Sequence, residues 1–208
     1  MKIRSNSLRS LSLLLLITVL LFFESCKDKE YQDAEQNADT TAMSKEDYIK
    51  RGEYLVTSIG CADCHSPKRM REMGPEEVAE LKLSGYQSDS ILPKIEQSNL
   101  KEGWTLFSPD NTAAVGPWGV SFAGNITSDN TGIGSWTLDQ FKTAMREGKF
   151  KGMKDGRDLL PPMPWPSFAN LNDEDLESIF RYLQSTKPVK NMVPPPIPPT
   201  KLDSLWKG

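Results

Sequence analysis

Residues 61–65 read Cys61-Ala62-Asp63-Cys64-His65, and this stretch decides how the rest of the chain is interpreted. In a Cys-x-x-Cys-His motif, two thiols bond the two vinyl groups on one side of a haem, and the imidazole of the next residue reaches the iron. The motif therefore predicts one covalently attached haem c, bound through Cys61 and Cys64, with His65 as an axial ligand.

Three other uses of this motif compete with haem. A redox-active dithiol needs only the two cysteines, and a structural disulfide between Cys61 and Cys64 is also open. A zinc site needs four ligands, whereas Cys61, Cys64 and His65 supply three in strained proximity. We favour haem because the chain is expected to be exported and no other residue stands out as a fourth zinc ligand.

The second axial ligand is expected to be a methionine. His65 is the one histidine in the 208 residues, so a second histidine ligand from this chain is excluded, and eight methionines are present. Met163 is preferred because four prolines in residues 160–166 lock the backbone, which holds the thioether at small entropic cost. Met153, in a flexible and charged turn, is the reserve candidate, and Met192 also remains.

Three helices are expected around the motif. The first begins after Ser44 and stops at Gly60, directly before the first cysteine. The second begins at Thr137, whose capping box is completed by a glutamine three residues later, and the third is capped by Asn172. In residues 66–136 we expect a short helix from Pro75 to Leu83, and no run with the two-residue period of a strand stands out.

The N-terminal residues indicate export. Residues 1–25 combine basic residues with an apolar run over residues 11–23, as in a secretory signal, and this run is shorter than the roughly 20 residues of a membrane-spanning helix. Because Ser25 precedes Cys26, we expect a lipoprotein signal with lipidation at Cys26. The alternatives are an uncleaved membrane anchor and a free thiol, and Glu24 departs from the usual lipoprotein pattern. The chain is thus expected to be a membrane-anchored lipoprotein that faces the periplasm.

The remaining boundaries follow composition. Residues 26–43 are too polar to fold and are expected to form a flexible tether, and residues 44–187 form the folded domain. In the proline-rich tail, residues 188–208, the stretch 193–199 cannot be helical and is expected to lie extended as polyproline II, with the tail placed over its own domain. The formal net charge of -3 argues against a nucleic-acid partner.

Several separated motifs resemble one known family. Between about Ser44 and Val193 the chain resembles the cytochrome c modules of membrane-bound alcohol dehydrogenase cytochrome subunits. The matching stretches, in the family's order, are residues 116–119, 125–129, 132–136, 159–165 and 173–176. The resemblance implies an all-α cytochrome c fold, with N- and C-terminal helices packed around one covalent haem. It also implies thioether bonds at Cys61 and Cys64, His65 as the proximal ligand and Met163 as the distal ligand.

We therefore expect an electron carrier and not an enzyme. A His/Met pair leaves no open iron position for a substrate, and its partners are expected to be protein redox donors and acceptors. A peroxidase would need an open iron and a distal acid-base group, for which no second histidine exists. A haem-based redox or gas sensor and a haem subunit of a dehydrogenase complex remain as alternatives.

Overall fold

The computed structural model describes residues 43–205. The expected signal, the lipidation site Cys26 and residues 26–42 of the expected tether lie outside the described residues. In chain order, the helices are α1 (Lys45–Ser58), α2 (Cys61–His65), α3 (Gln97–Lys101), α4 (Leu138–Glu147), α5 (Trp165–Phe168), α6 (Asp173–Ser185) and α7 (Leu202–Leu205). The strands are β1 (Lys68–Arg71), β2 (Gly74–Glu77), β3 (Leu106–Phe107), β4 (Ala113–Gly116) and β5 (Gly119–Phe122), and single 3-10 turns occur at Ala79–Leu81, Phe150–Gly152 and Pro199–Lys201.

The three expected helices are present as α1, α4 and α6. Thr137 Oγ1 accepts a hydrogen bond from Gln140 N at 3.2 Å, and Gln140 Oε1 accepts one from Thr137 N at 2.9 Å, which completes the capping box of α4. Asn172 Oδ1 accepts a hydrogen bond from Asp175 N at 2.7 Å at the start of α6. These caps confirm the predicted starts of both helices.

Helices α1 and α6 pack closely against each other. Gly52 is buried on α1, and a Cβ atom at this position would overlap the backbone carbonyl of Ser178 on α6. The contact is closed on one side by an ion pair between Arg51 and Asp175, whose Nη2 and Oδ1 atoms lie 2.5 Å apart. The expected pairing of the N-terminal helix with the C-terminal helix is therefore confirmed.

The core lies between α1, α4 and α6 and includes residues from the loops that precede α4. Its buried members are Val56, Leu83, Ile133, Phe141, Met145, Leu176, Ile179 and Leu183. Burial of such side chains is the main favourable term that holds the helices together.

The predicted all-α fold class is wrong, because residues 68–122 contain two small antiparallel sheets. Strands β1 and β2 form a hairpin in which Lys68 pairs with Glu77, and β3, β4 and β5 form a three-stranded sheet in that order. The helix expected from Pro75 to Leu83 is replaced by β2 and the 3-10 turn Ala79–Leu81. The fold is a helical frame with a sheet-containing segment between α2 and α4.

The physical reason for this error is the length and burial of the strands. Each strand has four residues or fewer, which is too short for a two-residue period to stand out. All four residues of β4 are buried, so the strand reads as an apolar run without alternation. Pro75 is accommodated because each strand of the two-stranded hairpin has a free edge.

The segment after α6 lies against the domain, as expected for the proline-rich tail. Asn191 is buried, and its Nδ2 donates to the carbonyl oxygens of Ser84 at 2.8 Å and Tyr86 at 2.9 Å. Further along, Ile197 forms an antiparallel bridge with Val120 of β5. The segment from residue 188 to Ile197 thereby joins α6 to the three-stranded sheet.

Candidate haem-binding site

The Cys-x-x-Cys-His motif forms the short helix α2 directly after α1. Gly60 separates the two helices with a left-handed backbone conformation, φ 74°, which a glycine adopts without strain. Asp63 N donates to Gly60 O at 3.0 Å, and this bond starts the turn that carries both cysteines. The short connection fixes the motif at the end of a helix that is itself packed on α6.

Cys61 and Cys64 are free thiols on α2, and both are half-buried. Burial raises the pKa of the Cys61 thiol to about 11. Burial also raises the pKa of the Cys64 thiol, although the positive charge of the nearby Lys68 offsets part of this rise. Both thiols are therefore protonated at neutral pH. The structure contains no disulfide between them, so both thiols are free to form thioether bonds.

The His65 imidazole is held in one orientation. Its Nδ1 lies 2.7 Å from the carbonyl oxygen of Gly124, to which it donates, so the Nε2 atom carries the lone pair. Burial lowers the pKa of His65, which keeps the ring neutral. A neutral imidazole with a hydrogen-bonded Nδ1 and an available Nε2 is the state required of an iron ligand.

Lys68 anchors the end of α2. Its Nζ donates to four backbone carbonyl oxygens: those of Asp63 at 2.7 Å, Ser66 at 3.0 Å, Asp110 at 3.2 Å and Ala62 at 3.3 Å. Three of these carbonyls belong to the motif or follow it directly. The lysine thus adds a charged donor to carbonyl groups at the C-terminal end of α2, where a helix leaves its last carbonyls without helical partners, and links them to the loop before β4.

Met163 lies in the proline-rich loop that precedes α5. Its side chain is half-buried and packs against the helical core, which Cys61 also contacts. The base of the loop is fixed by a hydrogen bond from Leu159 N to Gly148 O at 2.6 Å, and the ring of Trp165 lies directly against Gly148. The structure therefore brings the predicted distal ligand and the first cysteine to the same apolar cluster.

The other candidate methionines lie elsewhere. Met153 is 58% exposed and Met192 is 66% exposed, whereas Met145 is buried in the core as a helix-face residue. Met70 and Met73 are exposed on the β1–β2 hairpin. An exposed thioether is not held in place by packing, so Met163 has the surroundings best suited to an axial ligand.

The donor groups and the partly exposed apolar side chains on the core fit a haem. Several apolar side chains pack on the core and yet stay partly exposed: Cys61, Ile126, Trp136, Met163 and Phe168. Such a partly exposed apolar lining with a few polar groups is typical of a cofactor site. Two thiols, one imidazole nitrogen and one thioether provide the ligand types of a His/Met haem c. Within residues 43–205, no three His, Cys, Asp or Glu side chains are grouped so that they could hold a metal ion.

Three supporting groups were not anticipated from the sequence. The Gly124 carbonyl is a backbone atom, and any residue type can supply it, so it leaves no signal in the sequence. Lys68 follows the motif by three residues, but its role depends on the fold of the hairpin. Ser121 Oγ on β5 donates to Pro161 O, in the loop that carries Met163, at 2.5 Å, and the two residues are 40 positions apart.

The motif, the oriented imidazole and the apolar lining are typical of a cytochrome c haem domain. No family model matches the chain. It is 40% identical over 143 residues to the cytochrome c subunit of the quinone alcohol dehydrogenase of Gluconobacter oxydans, which covers 68% of this chain and 22% of that subunit. It is 29% identical over 181 residues to the fructose dehydrogenase cytochrome subunit of Gluconobacter japonicus, covering 84% of this chain and 30% of the relative.

A third relative is the gluconate 2-dehydrogenase cytochrome c subunit of Pantoea cypripedii. It is 28% identical over 204 residues, which cover 95% of this chain and 35% of the subunit. The chain thus spans about a third or less of the length of these relatives. Its homologues are cytochrome c subunits of dehydrogenases, and the described domain is a module similar to theirs. This relationship supports an electron-transfer haem protein. Among residues 43–205, no helix has the length and apolar character needed to span a membrane.

Proposed function

We propose that this chain is a monohaem c-type cytochrome that transfers single electrons between protein partners. Cys61 and Cys64 hold the haem through thioether bonds, and His65 and Met163 are its axial ligands. The observation that supports this proposal most directly is the orientation of His65, whose Nδ1 is bonded to Gly124 O while Nε2 remains for the iron. A haem c bound here would supply an iron that accepts and returns one electron.

The ligand set favours a carrier over a catalyst. With His65 and Met163 as ligands, both axial positions are filled from the protein, and a substrate finds no open position. The chain has a single histidine, which the iron would use, so no histidine remains as a distal acid-base group. The thioether also raises the reduction potential, as suits an acceptor of electrons from a dehydrogenase.

Mass spectrometry and absorption spectra test this proposal. Protein matured in a host competent for cytochrome c assembly should carry one haem mass on the tryptic fragment that contains Cys61 and Cys64. The ferric spectrum should show a sulfur-to-iron band, and the ferrous spectrum should not change with carbon monoxide. An unmodified fragment would overturn the haem assignment, and prompt carbon monoxide binding would favour a sensor or an enzyme.

A second candidate is a haem subunit within a dehydrogenase complex. The relatives named above are subunits of dehydrogenases that act on alcohol, fructose and gluconate. Isolation of the tagged chain from its native membranes separates the two functions. A stoichiometric dehydrogenase that remains bound through purification indicates a subunit. A chain that is isolated alone, and is reduced by a dehydrogenase only when the two are mixed, indicates a mobile carrier.

The location of the protein is also part of the proposal. We infer that residues 1–25 direct export, that Cys26 receives a lipid and that residues 26–43 hold the domain of residues 44–187 away from the membrane surface on the periplasmic side. The sequence pattern around Cys26 supports this inference. Radiolabelled palmitate should be incorporated into the wild type, and Cys26→Ser should abolish labelling and release the protein from the membrane fraction. Labelling that persists in Cys26→Ser would exclude this anchor.

A further inference from the structure

The three-stranded sheet contacts the loop that carries Met163. Ser121 on β5 is buried, and its Oγ donates to the carbonyl oxygen of Pro161 at 2.5 Å. Pro161 precedes Met163 by two residues within a run of prolines, which have no backbone N–H to donate. The Ser121 hydroxyl therefore links the loop that carries Met163 to the sheet.

We propose that Ser121 is a positioning residue for Met163 and that the sheet holds the thioether against the iron. This inference rests on the proposed function, in which Met163 is an axial ligand. A thioether is a weak ligand, so the fraction of protein with sulfur on iron depends on how firmly the loop is held. A hydrogen bond that closes the loop favours the bound position, and its loss favours opening.

Trp118 directs the Ser121 hydroxyl toward the loop. The Nε1 of Trp118 donates to Ser121 Oγ at 3.1 Å, which leaves the hydroxyl proton for a carbonyl acceptor. The indole ring lies on Gly116, where a Cβ atom would overlap it, so the ring has a fixed position on the turn between β4 and β5. Ala114 O is a second possible acceptor at 3.4 Å, much longer than the bond to Pro161.

The strand that carries Ser121 is held on both edges. Residues of β5 pair with β4, including Ala114 with Ser121, and Val120 exchanges two backbone hydrogen bonds with Ile197, at 2.8 and 3.0 Å. Val120 itself is fully buried. The donor thus has a rigid support, whereas Pro161, which carries the acceptor, and Pro162 are exposed. The support is on the sheet and the movable partner is the loop.

Imidazole competition on the ferric holoprotein tests this role. Imidazole binds the iron when sulfur leaves, so its apparent affinity measures the open fraction. We expect Ser121→Ala to bind imidazole about fivefold more tightly than the wild type, the factor that corresponds to one typical net hydrogen bond. Trp118→Phe keeps most of the ring but removes the indole donor, and should shift the affinity in the same direction by about twofold, a fraction of that bond. Both variants should retain the sulfur-to-iron band when imidazole is absent.

Ser108→Ala is the matched control. Ser108 follows β3 in the same sheet, and its Oγ bonds Asp110 and Ala113 without reaching the methionine loop. Its imidazole affinity should equal that of the wild type. The inference is overturned if both Ser121→Ala and Trp118→Phe behave as the wild type, or if Ser108→Ala shifts the affinity equally. If the wild type itself lacks the sulfur band, Met163 ligation in the proposed function fails as well.

Discussion

The two sides of the proposed haem site are supported in different ways. On the histidine side, His65 O accepts a hydrogen bond from Gly85 N at 2.7 Å, and Lys68 Nζ bonds three carbonyls in or next to the motif. Ser66, which follows the histidine, is fully buried. On the methionine side, the loop of residues 160–166 that carries Met163 is stiffened by prolines. Ser121 links this loop to the sheet through one hydrogen bond to Pro161 O.

This difference indicates where the site can open. A segment held by several hydrogen bonds to different elements opens only with much of the domain, whereas an exposed loop with fewer such bonds opens locally at lower free energy. We therefore expect ligand exchange to begin with Met163 while His65 stays on the iron. The four predictions that follow test this asymmetry.

The largest effect is expected for Met163→Ala. Without the thioether, the sulfur-to-iron band of the ferric protein should disappear, the ferrous protein should bind carbon monoxide and the reduction potential should fall. Met153→Ala, which removes an exposed methionine, is the control and should leave all three unchanged. Titration of the potential and absorption spectra check this. If Met153→Ala loses the band and Met163→Ala keeps it, the distal ligand is Met153.

Gly52→Ala should weaken the support of the histidine side. The new methyl group would collide with the Ser178 carbonyl on α6, so α1 would have to move, and with it the helix that carries the motif. We expect the free energy of unfolding to fall by about 3 kcal/mol, as for severe overpacking. Thr57→Ala, at an exposed position on the same helix, should change it by less than about 0.5 kcal/mol. Urea unfolding of the two variants would separate these outcomes, and equal midpoints would refute the close helix contact.

Lys68→Met tests the anchor at the end of α2. The substitution keeps the apolar stem but removes the ammonium group that bonds four carbonyls. We expect a loss of about 1.5 kcal/mol in the free energy of unfolding, the lower range for hydrogen bonds to a charged group. The sulfur-to-iron band should persist, because the substitution leaves the loop that carries Met163 unchanged. Lys50→Met, at an exposed lysine of α1, is the control, and a similar loss there would show that the carbonyl contacts contribute little.

The smallest effect is expected for Asp173→Asn, at the first residue of α6. Hydrogen bonds from Arg146 and then Lys142 lower the pKa of Asp173 below its usual 3.8. Because the folded state binds this proton less readily than the unfolded state, the stabilisation is present above pH 3.8 and is lost as the pH falls further. Thermal unfolding should therefore show a small deficit for Asp173→Asn at pH 7 that shrinks toward pH 3.

Asp139→Asn is the control for that comparison. Asp139 occupies the first turn of α4, as Asp173 does in α6, so both substitutions lose a similar interaction with a helix N-terminus. The deficit of Asp173→Asn should be the larger of the two, since Asp173 also bonds Arg146 and Lys142. Equal deficits would mean that these ion pairs add nothing measurable to the frame.

The helical frame was predictable because its signals are local. Capping residues such as Thr137 and Asn172 lie within three positions of the backbone groups they bond, and apolar residues repeat along each helix. The Cys-x-x-Cys-His motif is equally local, since the proposed attachment and proximal ligation involve only five neighbouring residues. Both kinds of pattern can therefore be interpreted without knowledge of the tertiary structure.

The sheet and its contact with the loop were not predictable for the opposite reason. Strands of two to four residues are too short for the alternation of apolar and polar residues to be recognised. The hydrogen bond between Ser121 and Pro161 joins positions that only the complete fold brings together. The partner of His65 is a backbone carbonyl, Gly124 O, which has no residue signature. These long-range contacts depend on loop conformations that local propensity does not specify.

The buried side chain of Asn191 has a consequence for transplanting this module into other proteins. Its amide nitrogen donates to the carbonyl oxygens of Ser84 and Tyr86. The carbonyl oxygen of Val189, two residues earlier, accepts a hydrogen bond from Asn125 Nδ2 at 2.8 Å. A graft that ended with α6 would lose all three of these hydrogen bonds. The smallest portable unit therefore runs through Ile197, and a fusion joint belongs beyond it.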